Sequence, residues 1–193
     1  MERNEMDGRT FLAIELPAPL REGLVTKQHQ FKWKLPAINW VRPESLHMTV
    51  KFLGTTSESL IEDIKEAISG AMVDFSPFSL TLQGFGVFPT VRQPRIFWAG
   101  IQGNSQMLID IVGSLDQVLE PLGFPQEGKP FHPHLTLARI KKDHRQVGHT
   151  FEQMGVLNDS YEGGQFTVEN IVLFRSELKP SGSVYTKVWD VPL

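Results

Sequence analysis

His47 and Thr49 stand two residues apart in LHMTVKFLG, and His134 and Thr136 stand two apart in PHLTLARI. Each His-x-Thr lies in a run that reads as a strand, where residues i and i+2 project from one face. Each motif therefore sets an imidazole beside a hydroxyl. Two such pairs, brought together, supply a general base, a general acid and two hydrogen-bond donors. Hydrolysis of a phosphodiester asks for that set. Water attacks phosphorus in line with the departing oxygen, so a base is needed on one side and an acid on the other. Histidine, with an ordinary pKa of ~6.5, serves in either role near neutral pH. The threonine hydroxyls donate to the non-bridging oxygens, where charge develops. No metal is required, and no acidic cluster adjoins either motif. A cyclic phosphate is a suitable substrate, because ring strain helps to expel the leaving oxygen. A single His-x-Thr is weak evidence, since both residue types are common on a strand's solvent face. Its repetition in matching places is what carries the argument.

The elements that must position these motifs follow from periodicity and punctuation. FLAIEL (11–16) reads as a strand closed by Pro17, and Leu20, Leu24, Phe31 and Leu35 mark a helix. A short extended piece at Trp40-Val41 precedes the first motif strand, Ser45 to Leu53. Ser57 is placed to cap a helix carrying Leu60, Ile61, Ile64 and Ile68, and Phe78, Leu80 and Leu82 alternate as a strand. The second half repeats the order. RIFWAGI (95–101) is a strand, Asn104 to Leu119 a helix, and Phe131 to Ile140 the second motif strand. A weaker helix follows Asp143, with strands at Phe166–Phe174 and Val184–Val191. The halves register at nearly one offset: Arg9 with Arg95, His47 with His134, and Phe78-Ser79-Leu80 with Phe166-Thr167-Val168. That spacing is too long for a solenoid. The expectation is an internal duplication within one domain over residues 1–193. Lobe one covers about 9–90 and lobe two about 91–193, with a cleft between them.

Other polar residues are weaker candidates. Strict alternation puts Lys51 on the face of His47 and Thr49, towards a phosphate, and puts Arg139 on the face opposite His134 unless the strand bulges. Arg92 and Arg95 lie near the lobe junction, facing phosphate or solvent. His132-Pro133-His134 hints at a metal pair, but no third ligand is in view, so His132 is read as a loop support. His29, His144 and His149 are read as surface residues. Phe85, Phe88, Trp40 and Trp98 offer faces for base stacking, although most aromatics must serve the core.

Composition bounds the partners. The chain has 193 residues, 40% hydrophobic and 21% charged, with a formal net charge of −3. That balance excludes coating of nucleic acid through bulk charge, and leaves room for a local basic pocket at an RNA end or small fragment. There is no cysteine, hence no disulfide framework, thiolate metal site or thiol nucleophile. No run approaches the ~20 apolar residues of a membrane span. MERNEMDGRT lacks the apolar core of a signal peptide and reads as a frayed lead-in. A cytoplasmic monomer with no membrane partner is expected.

The paired motifs, together with RTFLAIELP, WVRPESLHMTVKFLG, PRIFWAGI, KPFHPHLTLARI and LFRSELKPSGSVYTKVWDVPL, resemble the 2H phosphoesterase superfamily over nearly the whole chain. Within it they are most similar to the RNA 2′,3′-cyclic phosphodiesterases, also described as 2′-5′ RNA ligases. The resemblance implies an α+β, bilobal fold. Two antiparallel sheets related by a pseudo-two-fold line a central cleft, with helices outside. It implies metal- and cofactor-free hydrolysis of RNA 2′,3′-cyclic phosphate ends, or of small cyclic nucleotides, to a 2′-phosphomonoester. His47 would be the proton donor, His134 the proton acceptor, and Thr49, Thr136 and Arg139 the phosphate ligands. Val50 and Leu137 stand where the family commonly has leucine in both places. Two rival readings share this cleft: a nucleotide-binding module without turnover, and a ligase running the reverse reaction.

Overall fold

The computed structural model describes residues 8–36, 38–180 and 182–193. Of the run MERNEMDGRT, read as a frayed lead-in, residues 1–7 lie outside them, while Gly8, Arg9 and Thr10 begin the first strand. In chain order the elements are β1 (Gly8–Glu15), α1 (Ala18–Lys32), β2 (Asn39–Trp40), β3 (His47–Thr56), α2 (Ile61–Met72) and β4 (Phe78–Phe88). There follow β5 (Ile96–Gly103), α3 (Ser105–Leu119), β6 (His134–Arg139), α4 (His144–Gln153), β7 (Glu162–Val168), β8 (Asn170–Lys179) and β9 (Gly182–Pro192).

The strands form two antiparallel sheets, ordered β3-β1-β8-β9 and β2-β6-β5-β4-β7. This is the α+β, two-sheet architecture that the sequence implies. β1 and β5 hold corresponding central places, each beside a motif strand, β3 or β6. The two motif strands lie against each other where the sheets meet. Helix α1 packs on β7, and α2 on β9 and α3. Ile64 and Ile68 of α2 and Leu108, Ile111 and Leu115 of α3 are fully buried, as their 3.6-residue spacing requires.

Two local expectations change. The run from Phe166 to Phe174 is two strands, because the chain crosses from the second sheet to the first at Glu169. Both sides of the crossing are extended and apolar, so periodicity does not mark it. The Ser57 hydroxyl lies 3.0 Å from Ser59 Oγ and does not cap; a 3₁₀ turn, Glu58–Leu60, leads into α2. Asn104 is a true cap, its side chain accepting from the Met107 amide.

The sheets also do not divide the chain near residue 90. β2 and β4 join the second sheet, while β8 and β9 join the first. Phe78 and Leu80 pair directly with Val168 and Phe166 as neighbouring strands. They are therefore not equivalents across the pseudo-two-fold, and that register anchor fails. By place beside the central strand, β4 corresponds to β8.

Candidate active site

Both motif strands carry a bulge one residue after the threonine. Leu12 and Ala13 of β1 face Lys51 and Thr49, leaving Val50 unpaired. Phe97 and Trp98 of β5 face Ala138 and Thr136, leaving Leu137 unpaired. An extra residue turns the alternation over. From the histidine onward, both strands run half-buried, buried, half-buried, buried, buried, exposed. His47, Thr49 and Phe52 therefore share one face of β3, and His134, Thr136 and Arg139 share one face of β6. Arg139, placed on the far side by strict alternation, is brought to its histidine's face by the bulge.

The same device removes Lys51 from that face. Its side chain is 2% exposed and ion-pairs with Asp116 of α3; Nζ also donates to the Pro125 carbonyl at 2.9 Å. A phosphate at the histidines would find no ammonium from Lys51. In its place stands Phe52, 61% exposed, with its ring centroid 6.1 Å from that of Phe11. The bulge in β6 is braced by Gln28 of α1, which is itself buried. Its amide donates to the Leu137 and Val41 carbonyls, each at 3.0 Å.

Each imidazole is anchored by the backbone two residues before it. The Nδ1 of His134 lies 2.7 Å from the His132 carbonyl, and His47 has the matching hydrogen bond with the backbone of Ser45. A carbonyl can only accept. The neutral His134 ring therefore carries its proton on Nδ1 and presents a free lone pair on Nε2. Aromatic walls fix the ring planes. His47 stacks on Phe11 at 4.8 Å, with Tyr185 edge-on at 5.2 Å. His134 meets Phe88 edge-on at 5.1 Å and Trp98 at 6.3 Å. Trp98 lies flat over Gly86, where a Cβ would come within 2.2 Å of its ring, so glycine is required there. Trp98 thus borders its histidine as Phe11 does, but from another place: opposite Thr136 it corresponds to Ala13 opposite Thr49. The sequence register matches Phe11 with Phe97, which instead faces the core against Phe31 and Phe151.

Burial pushes the His47 pKa down to about 4; the Ser45 bond opposes this, and the Arg139 charge lowers it further. His134 is also lowered, first by burial, then by Arg139 and His132, against the bond to the His132 carbonyl. The charge of Arg139 is thus felt at both rings. Both are neutral near pH 7, and an arriving anion would raise their proton affinity.

The remaining candidates separate. His132 is exposed and contributes its carbonyl. Arg92 lines a separate cavity of about 520 Å³ with Arg145, His149 and Glu152. Arg95 and His29 are exposed. His144, read as a surface residue, is half-buried, with Nδ1 2.8 Å from the Pro94 carbonyl. Phe85 is core, stacked on Tyr161, whereas Phe88 and Trp98 border His134. Among the described residues, no three His, Asp or Glu side chains gather to hold a metal. No described helix is long and apolar enough to cross a membrane. Phe52, Gln28 and Tyr185 are absent from the sequence reading. The signal for Phe52 is its place one step beyond Lys51, legible only with the bulge in hand.

The model of the 2′-5′ RNA ligase superfamily matches residues 28–180. An RNA 2′,3′-cyclic phosphodiesterase of Methanothermobacter thermautotrophicus is 34% identical over 181 residues, covering 94% of this chain and 96% of its own. One from Methanocaldococcus jannaschii is 34% identical over 179 residues, covering 92% and 96%. A crystal structure of a Thermus thermophilus protein superposes with a TM-score of 0.78 at 30% identity, covering 96% and 97%. E. coli LigT complexed with 3′-AMP shares the fold, with a TM-score of 0.75 at 24% identity and coverage of 96% and 98%.

Proposed function

The chain belongs to the 2′-5′ RNA ligase superfamily, the 2H phosphoesterases, and from that premise we propose that it hydrolyses RNA 2′,3′-cyclic phosphate ends to 2′-phosphomonoesters without a metal. The observation that carries the reading is the pair of backbone-anchored imidazoles on facing strands, both under the influence of the Arg139 charge.

The cyclic phosphate sits between the two motifs. Its non-bridging oxygens accept from Thr49 and Thr136 and lie against the Arg139 guanidinium. The neutral His134 takes a proton from the attacking water as the new P–O bond forms. The P–O3′ bond breaks, and His47 in its imidazolium form gives its proton to the departing 3′ oxygen. The anionic phosphate supplies the reason for His47 to be protonated, since it raises a proton affinity that burial had suppressed. The exposed ring of Phe52 offers a face for the terminal base. An internal duplication would give a natural origin for the paired half-sites. The reverse reaction, joining a cyclic end to a 5′-hydroxyl, uses the same groups. Water at ~55 M favours hydrolysis unless the RNA ends are held together.

The deciding experiment is incubation with a short RNA ending in a 2′,3′-cyclic phosphate, in excess EDTA, followed by separation of the 2′- and 3′-phosphate products. The expected result is full turnover to the 2′ product. Loss of turnover restored only by one added metal would sink the metal-free mechanism. Binding of AMP with no product from any cyclic end would favour the nucleotide-binding module.

A further inference from the structure

A groove of about 480 Å³ opens beside the candidate site and shares Ser45, Arg139 and Tyr185 with it. From there it runs between the β2 segment and the tip of the β8–β9 hairpin, past Trp40, Arg42, Lys32 and Lys141. Its described lining holds four cations and no carboxylate, in a chain whose formal net charge is −3. Elsewhere Lys27 pairs with Asp159, Lys51 with Asp116, Arg175 with Glu58, Lys179 with Glu177, and Lys187 with Glu15 and Asp190. Lys32, Arg139 and Lys141 make no ion pair among the described residues, and Arg42 lies 4.0 Å from Glu44. The Trp40 indole is fixed in the wall by donating to the Leu35 carbonyl at 3.2 Å.

We propose that this groove binds the phosphodiester backbone of the nucleotides on the 5′ side of the cyclic-phosphate end, so that the chain acts on single-stranded RNA in preference to a free cyclic mononucleotide. The inference rests on the function proposed above. A terminal ribose whose cyclic phosphate lies between the histidines has one remaining connection, its 5′ oxygen. The following phosphates must leave the site over its rim. A cationic track with aromatic walls is what a single strand requires, and it serves any sequence. The formal net charge of −3 gives a duplex no general attraction to the rest of the molecule.

The test compares 2′,3′-cyclic AMP with a tetraribonucleotide ending in a 2′,3′-cyclic phosphate, across a KCl series, for the wild type and Lys32→Gln/Lys141→Gln. Both lysines are exposed, so the fold is expected to survive. The wild type should favour the oligomer in kcat/KM, with a log–log salt slope steeper by about 2 than for the mononucleotide, from Lys32, Arg42 and Lys141 at ~0.7 each. The double variant should lose about tenfold on the oligomer and nothing on the mononucleotide. Equal losses on both substrates, or equal salt slopes, would overturn the groove. Anisotropy with a labelled oligomer ending in a 2′-phosphate separates the two readings. If no cyclic end is hydrolysed, the proposed function fails. Salt-sensitive oligomer binding weakened in the variant would still support the groove, and unchanged binding would reject it.

Discussion

At the residue scale the His-x-Thr pairs were legible because type and spacing alone place imidazole and hydroxyl on one face. What holds the imidazoles was not. The Ser45 and His132 anchors are main-chain groups, and any residue there supplies them. His47→Ala and His134→Ala should each lower kcat by at least about a hundredfold while circular dichroism stays that of the wild type. Either variant working at the parental rate would refute the acid–base pair. Thr49→Ala and Thr136→Ala should each cost about tenfold to a hundredfold in kcat/KM, and no loss in the double variant would remove the phosphate-donor role. Titration adds two expectations. The His47 pKa is about 4 in the folded chain and ~6.5 unfolded, so between those values the unfolded chain binds more protons. The stability this group contributes is present above pH ~6.5 and is lost as pH falls towards ~4. Melting temperatures of His47→Gln should decline less than those of the wild type over that window. In kinetics, the bound phosphate raises imidazolium stability. The alkaline limb of kcat should therefore lie at higher pH than that of kcat/KM, and coincident limbs would count against His47 as acid.

At the element scale the two bulges decide which side chains reach the cleft. Hydropathy marked β3 and β6 as strands, but no residue type announces an unpaired Val50 or Leu137. Alternation counted past them sends Lys51 to the wrong side. Two buried polar groups, Lys51 and Gln28, replace hydrogen bonds or charges that the bulged strands and α3 would otherwise leave unmet. Lys51→Ala leaves the Asp116 carboxylate largely buried and without its ion pair. It should destabilise by about 3 kcal/mol in urea titration, with partial recovery in Lys51→Met/Asp116→Leu. Gln28→Leu leaves the Val41 carbonyl unmet, while the Leu137 carbonyl keeps the Val41 amide at 2.8 Å, at a cost of about 1–3 kcal/mol. It should also raise KM, because Arg139 lies two residues beyond the freed bulge. A variant with wild-type KM would show that Gln28 braces the fold without positioning the arginine.

At the scale of the whole molecule, the order of elements was legible in the sequence, and the pairing of the strands was not. Three-residue matches cannot tell a strand's equivalent from its neighbour, which is how β4 and β7 came to be superposed in register when they are hydrogen-bonded side by side. The exchange of strands between sheets makes each half dependent on the other. β4 has both its partners, β5 and β7, in the second half of the chain, and β1 takes β8 from it. Separately expressed residues 8–90 and 91–193 are expected to remain largely unfolded by NMR and to gain structure on mixing. A well-dispersed spectrum from either fragment alone would contradict this. Among the exposed places of the two motif strands the pseudo-two-fold is broken where Phe52 stands on one strand and Arg139 on the other. A site with true two-fold symmetry would have no direction and would admit a ribose cyclic phosphate facing either way, giving a mixture of regioisomers. One aromatic and one cation would give the proposed site a polarity, and on that proposal the polarity selects the ester bond that is cut. Exchanging them, as Phe52→Arg/Arg139→Phe, keeps the chemical inventory and reverses the direction, so the isomer ratio among the products is a direct reading of the asymmetry.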